Sequence, residues 1–126
     1  MSLQLSFATL RICSTDVARS RDWYQDFLGL EPVEDLENFV SFRIGGTTFE
    51  ISVADAKSPS SPGGSVGYWL VPELESVLAR AQKLGGRIYR GPLRVDEVRR
   101  TIVQIMDPCG NVIGFEAPFE SGSPAV

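Results

Sequence analysis

The chain has 126 residues, and its 43% hydrophobic and 22% charged residues are typical of one ordinary globular domain. The sequence contains no histidine, which excludes Ser-His-Asp triads, Cys-His dyads and histidine-built zinc sites within this chain. The net charge of −4 argues against nucleic acid as a partner. No apolar run approaches the roughly 18 residues that a membrane span needs, which argues against a membrane.

The first half of the sequence predicts a strand, a helix and three further strands. The first strand is expected at Leu5–Cys13. The helix follows, starting at one of three consecutive N-cap candidates, Ser14, Thr15 and Asp16, and ending at Gly29. The remaining strands are predicted at Leu30–Val33, Phe39–Ile44 and Thr47–Val53, the last two joined by a hairpin turn at Gly45 and Gly46.

A segment rich in Pro, Gly and Ser, residues 57–65, predicts a linker, and the order of elements then repeats. A strand at Val66–Val71 precedes an amphipathic helix that begins near Leu74 and ends at Gly85. The later strands are predicted at Arg87–Tyr89, Thr101–Met106 and Val112–Phe115, with a turn at Asp107–Asn111 between the last two.

The repeated order indicates two βαβββ modules, at about residues 5–56 and 66–119. One module alone exposes a sheet face that it cannot bury, so the two modules are expected to pack together. The sequence therefore predicts an α+β fold in which both modules form one curved mixed sheet, or cup, within a single domain spanning residues 1–126.

Three motifs resemble the vicinal oxygen chelate superfamily, which includes glyoxalase I, extradiol dioxygenases and bleomycin-resistance proteins. They are the first helix at Asp16–Leu30, the strand-helix segment ending at Gly85 and Gly86, and the turn Asp107–Asn111, which is similar to the family's DPDGN turn. The resemblance covers about Phe7–Phe119 and implies a glyoxalase/bleomycin-resistance-like fold. In the superfamily's enzymes the cup holds a divalent metal on ligands from the first and last strands of each module, whereas its binding proteins keep the cup without the metal.

The resemblance assigns the four metal-ligand positions to Thr9, Glu50, Val66 and Gly114. Glu50 alone is a good ligand type, so neither a metal nor another cofactor is expected. An alternative is that Glu50 and Glu116 both face the cup and hold Mg²⁺ or Mn²⁺ weakly. The competing interpretation is a Glu50 that is solvated or paired with an arginine.

Strand alternation predicts which side chains line the cup. The candidate ligand-binding residues are Thr9, Arg11, Glu50, Ser52, Val66, Tyr68, Gln104, Gly114 and Glu116. Tyr68 can stack on a planar ligand, Arg11 can hold a carboxylate or phosphate, and the glutamates can pair with a ligand amine. Ordinary packing or surface ion pairing competes with each of these roles.

Two other features bear on function and location. The stretch Arg87–Arg100 is either a basic patch for an anionic ligand or a solvated hairpin with internal ion pairs, which surface statistics favour. Cys13 and Cys109 are too few for a disulfide framework, so they are expected to be reduced thiols of a cytoplasmic protein. Residues 1–6 lack a signal-peptide pattern, which favours the same location.

The favoured hypothesis is a metal-independent protein that binds a small aromatic or amphiphilic molecule, such as an antibiotic, in the cup. The resemblance also implies a homodimer. The alternative is a glyoxalase-type lyase or isomerase, or a dioxygenase, with an atypical carboxylate metal site, for which no catalytic residue is assigned. A third hypothesis is an interaction or regulatory module without a small-molecule ligand.

Overall fold

The computed structural model describes residues 3–119 and divides the chain into two compact units, Met1–Ser60 and Ser61–Val126. The division falls inside the predicted linker at residues 57–65. Each unit contains a four-stranded mixed sheet and an α-helix in the order strand, helix, three strands, which confirms the α+β class and the two βαβββ modules. The joining of both modules into one domain with one cup stays a prediction.

The first unit is built around the parallel pairing of its first and last strands. Its elements are β1 (Thr9–Ser14), α1 (Val17–Leu28), β2 (Glu34–Leu36), β3 (Phe39–Ile44) and β4 (Thr47–Val53). The strands hydrogen-bond in the order β1-β4-β3-β2, with β1 parallel to β4 and the other pairs antiparallel.

Helix α1 is bounded by two local signals in the sequence. The Asp16 carboxylate accepts a hydrogen bond from the Arg19 amide at 3.1 Å, and Gly29 ends the helix in the left-handed conformation with a φ of 69°. The buried face of the helix carries Tyr24, whose ring meets that of Phe49 on β4 edge to face at 5.0 Å. This aromatic contact fixes the helix against one face of the sheet and leaves the other face for polar side chains.

The second unit repeats the same topology. Its elements are β5 (Tyr68–Leu70), α2 (Glu75–Lys83), β6 (Arg87–Val95), β7 (Arg100–Met106) and β8 (Val112–Pro118), with a short 3-10 turn at Asp96–Val98. The strands hydrogen-bond in the order β5-β8-β7-β6, with β5 parallel to β8. Buried residues alternate along β7 as predicted, so one of its faces belongs to the core and the other is available for a ligand.

The turn between β7 and β8 is organised by one buried carboxylate. Oδ1 of Asp107 accepts hydrogen bonds from the amides of Cys109 at 2.8 Å and Asn111 at 3.1 Å. These bonds explain why an acidic residue opens the predicted turn, since a carboxylate can satisfy several loop amides at once. The turn thereby aligns β8 with β7 and places Gly114 opposite Gln104.

Several predicted strand bounds are wrong. β1 begins at Thr9 rather than Leu5, because its partner β4 begins only at Thr47. The second strand is Glu34–Leu36 rather than Leu30–Val33, a segment that contains Pro32, which has no amide to donate to a sheet. These shifts leave the candidate residues of β1 and β4 at their predicted places.

The bounds in the second unit also differ. β5 is limited to Tyr68–Leu70, so Val66 precedes the strand instead of opening it. β6 extends to Val95, well past the predicted end at Tyr89, because an edge strand with irregular register tolerates Gly91 and Pro92. Within residues 3–119, neither α-helix has the length and apolar character needed to span a bilayer.

Candidate functional site

In the first unit the candidate residues lie on the sheet face opposite α1. The register pairs Thr9 with Thr48, Arg11 with Glu50, and Cys13 with Ser52, and this alternation is the one predicted from the sequence. Nε of Arg11 donates to Oε1 of Glu50 at 2.7 Å. The structure therefore brings Arg11 and Glu50 into contact, with Thr9 and Ser52 in the rows on either side.

The carboxylate of Glu50 is held in this ion pair through its Oε1 atom. Its side chain is 13% exposed, whereas that of Arg11 is 59% exposed, so the acid is the more buried partner of the pair. The hydrogen bond from Arg11 to Glu50, and then the attraction between their charges, raises the pKa of the Arg11 guanidinium above its ordinary value. Arg11 is thus a cationic partner of Glu50. This agrees with the competing interpretation, in which Glu50 is solvated or paired with an arginine.

A second polar pair on this face was not predicted from the sequence. Ser41 on β3 is opposite Glu50 in the register, is buried, and donates its hydroxyl to Oε1 of Glu34 at 3.0 Å. A serine within the otherwise apolar run Phe39–Phe42 is the signal that could have revealed it. Arg11, Glu50, Ser41 and Glu34 form one polar row across the sheet.

In the second unit, the ring of Tyr68 covers Gly114. A Cβ atom added at Gly114 would lie 2.4, 2.5 and 2.8 Å from Cδ1, Cε1 and Cγ of Tyr68. Similar distances to three successive ring atoms mean that the face of the ring, rather than its edge, rests on the glycine. The Gln104 side-chain amide donates to the Tyr68 hydroxyl at 2.8 Å and fixes the ring in this position.

Tyr68, Gly114 and Gln104 therefore form one assembly, which we call the tyrosine platform. The inner face of the ring rests on Gly114, and the outer face points away from the sheet. A planar group can stack on that outer face, and the carbonyl oxygen of Gln104 can still accept a hydrogen bond. The assembly depends on glycine at position 114, because any side chain there would collide with the ring.

The other two candidates of this unit are placed differently. Val66 lies before β5 and is half-buried, and the carbonyl of the intervening Gly67 accepts from the Gly114 amide at 2.8 Å. Glu116 is ion-paired with Arg100 on β7. Each glutamate proposed for a weak metal site thus has an arginine partner within its own unit.

The residues at the family's four ligand positions do not fit the metal site that the resemblance implies. In the second unit they are Val66, which has no donor atom, and Gly114, which lies beneath the Tyr68 ring. In the first unit they are the hydroxyl of Thr9 and the ion-paired Glu50. Among residues 3–119 there is no group of three or more His, Cys, Asp or Glu side chains arranged to hold a metal ion. Borderline metals favour imidazole and thiolate ligands, which this donor set lacks.

A sequence profile of the Glyoxalase/Bleomycin resistance protein/Dioxygenase superfamily matches residues 6–115. No curated protein matches the chain. Among solved structures, protein ATC0852 from Agrobacterium tumefaciens is similar, with 16% identity and a TM-score of 0.78 over 93% of this chain and 100% of that one.

Two further solved structures carry functional names. A lactoylglutathione lyase from Agrobacterium tumefaciens is 20% identical, with a TM-score of 0.73 over 91% of this chain and 95% of that one. TnmS3, an antibiotic binding protein from Streptomyces sp. CB03234, is 18% identical, with a TM-score of 0.74 over 94% and 100%. At these identities the likeness shows the fold. Because the profile extends from the start of the first module into the last strand of the second, the chain belongs to the glyoxalase/bleomycin resistance protein/dioxygenase superfamily.

Proposed function

We propose that the protein binds an aromatic or amphiphilic small molecule without a metal ion, using the sheet face that carries the tyrosine platform. The observation that supports this most is the Tyr68 ring lying flat on Gly114. At a position where the superfamily's enzymes supply a metal ligand, this chain has instead an aromatic surface held by Gln104. Such a surface binds by stacking and area burial.

The first unit supports the same proposal through its charges. Using Glu50 as a metal ligand would require breaking its bond to Arg11, and a free Arg11 beside a cation would be repelled. The enzyme alternative therefore has to overcome an existing ion pair. TnmS3 is an antibiotic binding protein with the same fold, and the lactoylglutathione lyase shows that the fold is also used by an enzyme.

We also propose a homodimer located in the cytoplasm. Cys13 and Cys109, the two cysteines of the chain, are not joined by a disulfide bond, which is compatible with a reducing compartment. Analytical ultracentrifugation is expected to give twice the chain mass, and a monomer at micromolar concentration would contradict the dimer.

Tryptophan fluorescence tests the binding function directly. The chain has two tryptophans, and Trp23→Phe leaves Trp69, which neighbours Tyr68 in β5, as the single reporter. Titration with a library of aromatic natural products is expected to find ligands with Kd below about 1 mM. Tyr68→Ala is expected to weaken binding about two- to tenfold, since stacking contributes about 0.5–1.5 kcal/mol. Tyr68→Phe, which keeps the ring and loses only the hydrogen bond from Gln104, is the matched control and should bind more tightly than Tyr68→Ala.

Elemental analysis of protein purified without chelators separates this proposal from the enzyme alternative. We expect substoichiometric Mn, Fe, Ni and Zn. Stoichiometric metal that is lost in Glu50→Ala would favour the alternative, and the absence of any ligand below about 1 mM would contradict the binding proposal.

A further inference from the structure

Two arginines near the start of β6 lie on the same sheet face as the tyrosine platform. In the register Arg87 is opposite Met106, and Arg90 is opposite Gln104, the residue that holds Tyr68. Cross-strand partners in a sheet project to the same face. Both arginines therefore project to the face of the sheet that carries the Tyr68 ring.

A β-bulge at Tyr89 creates this arrangement. Ile88 is opposite Ile105 and Arg90 is opposite Gln104, so Tyr89 is one extra residue on β6. In a regular strand, residues three positions apart project to opposite faces. The extra residue reverses that parity and brings both Arg87 and Arg90 to the platform's face.

Neither arginine has an acidic partner in the described part of the chain. In the same unit, Arg94 is paired with Asp96 and Arg100 with Glu116. Arg87 donates instead to the sulfur of Met106 at 3.1 Å, and both Arg87 and Arg90 are exposed. On the same face Glu116 is already neutralised by Arg100. This end of the face therefore carries uncompensated positive charge in a chain whose net charge is −4.

A shallow pocket of about 250 Å³ at the start of β6 is lined by Arg87, Ile88, Tyr89 and Met106. It combines one cation with aromatic, aliphatic and thioether surface, which suits an apolar group bearing a negative charge. Two strand spacings of about 4.8 Å separate Gly114 from Arg90, a distance that a fused-ring molecule with an acidic substituent can span.

We propose that the ligand is an aromatic anion, whose ring stacks on Tyr68 and whose carboxylate or phosphate is bound by Arg87 and Arg90. This inference rests on the proposed function and specifies its ligand class. Charges on an edge strand also block edge-to-edge pairing, but that role requires no particular face. The bulge at Tyr89 places both charges where a ligand on the platform would meet them.

Two compounds with the same ring and different charge test this inference. Isothermal titration calorimetry is expected to show that 2-naphthoate binds at least about tenfold more tightly than neutral 2-naphthamide, the gain of charge-assisted hydrogen bonds. The double variant Arg87→Gln/Arg90→Gln should lose this preference by weakening naphthoate alone. Arg19→Gln, an exposed change on α1 that removes the same charge per substitution, is the control and should keep the preference.

The outcomes separate this inference from the proposed function. Equal binding of naphthoate and naphthamide by the wild-type protein would overturn the anion assignment and leave aromatic binding in place. A preference that survives the double variant would also overturn it. Binding of neither compound, with no ligand found in the library titration, would overturn both. Weaker naphthoate binding at higher salt is expected, since the two charges are exposed to screening.

Discussion

Replacing Gly114 with alanine is expected to destabilise the second unit by displacing the Tyr68 ring. The new Cβ would lie 2.4 Å from Cδ1 and 2.8 Å from Cγ of Tyr68, whereas carbon atoms in contact prefer about 3.5–4.0 Å. Cγ is at the root of the side chain, so the whole ring must move by about 1 Å or more. The 2.8 Å hydrogen bond from Gln104 would then break. Loss of that bond at about 1 kcal/mol and overpacking at about 1–3 kcal/mol outweigh the entropic gain of alanine over glycine, about 0.4–1 kcal/mol. Urea denaturation should therefore show a net loss of about 1–3 kcal/mol in the free energy of unfolding.

The same substitution should have the opposite sign once the ring is removed. In a Tyr68→Ala background, Gly114→Ala is expected to stabilise by about 0.4–1 kcal/mol, because the φ of Gly114 is not in the left-handed region. Gly46, which has open space around its Cβ position and no positive φ, supplies the control, and Gly46→Ala should act alike in both backgrounds. Equal destabilisation by Gly114→Ala with and without Tyr68 would refute the platform as described.

Three further changes probe the supports of both units, each measured by urea denaturation. A double-mutant cycle on Arg11→Gln and Glu50→Gln should give a small favourable coupling, because Arg11 is exposed; a coupling of zero would contradict a maintained ion pair. Asp107→Ala should cost about 1–3 kcal/mol by leaving two turn amides without their acceptor, and an unchanged stability would show that water replaces the carboxylate. Asp16→Ala should cost about 1 kcal/mol through loss of the α1 N-cap, whereas Asp16→Ser should recover most of it; no difference between the two variants would argue against the cap.

Much of the fold is predictable because local signals in this sequence agree with one another. Asp16 and Gly29 bound α1, and strand alternation assigns Arg11 and Glu50 to one face, where the register then joins them. The bond between them depends on which strands become neighbours, and strand order is a tertiary property. For that reason the sequence allowed Glu50 to be a ligand, solvated or paired, and the structure resolves its partner as Arg11.

The second unit shows where pattern reading fails. A regular strand that begins at Arg87 would place Arg90 on the opposite face, and the bulge at Tyr89 brings it to the same face. Bulges follow from pairing between strands and leave little local signal. Similarly, the sequence identified Tyr68 and Gly114 as candidates on one face, but their contact arises from the parallel register of β5 and β8. From the sequence, Gly114 was interpreted only as a position where the family's metal ligand is missing. The structure shows in addition that the Tyr68 ring packs on it.

We propose above that an aromatic ligand binds through the Tyr68 face without a metal ion. The most direct test is the Kd of the tightest aromatic ligand from the library, measured in the presence of a chelator and again with excess Mn²⁺. We expect values that agree within about twofold, together with weaker binding by Tyr68→Ala in both buffers. Binding that tightens about tenfold with Mn²⁺ and loses that gain in Glu50→Ala would contradict it.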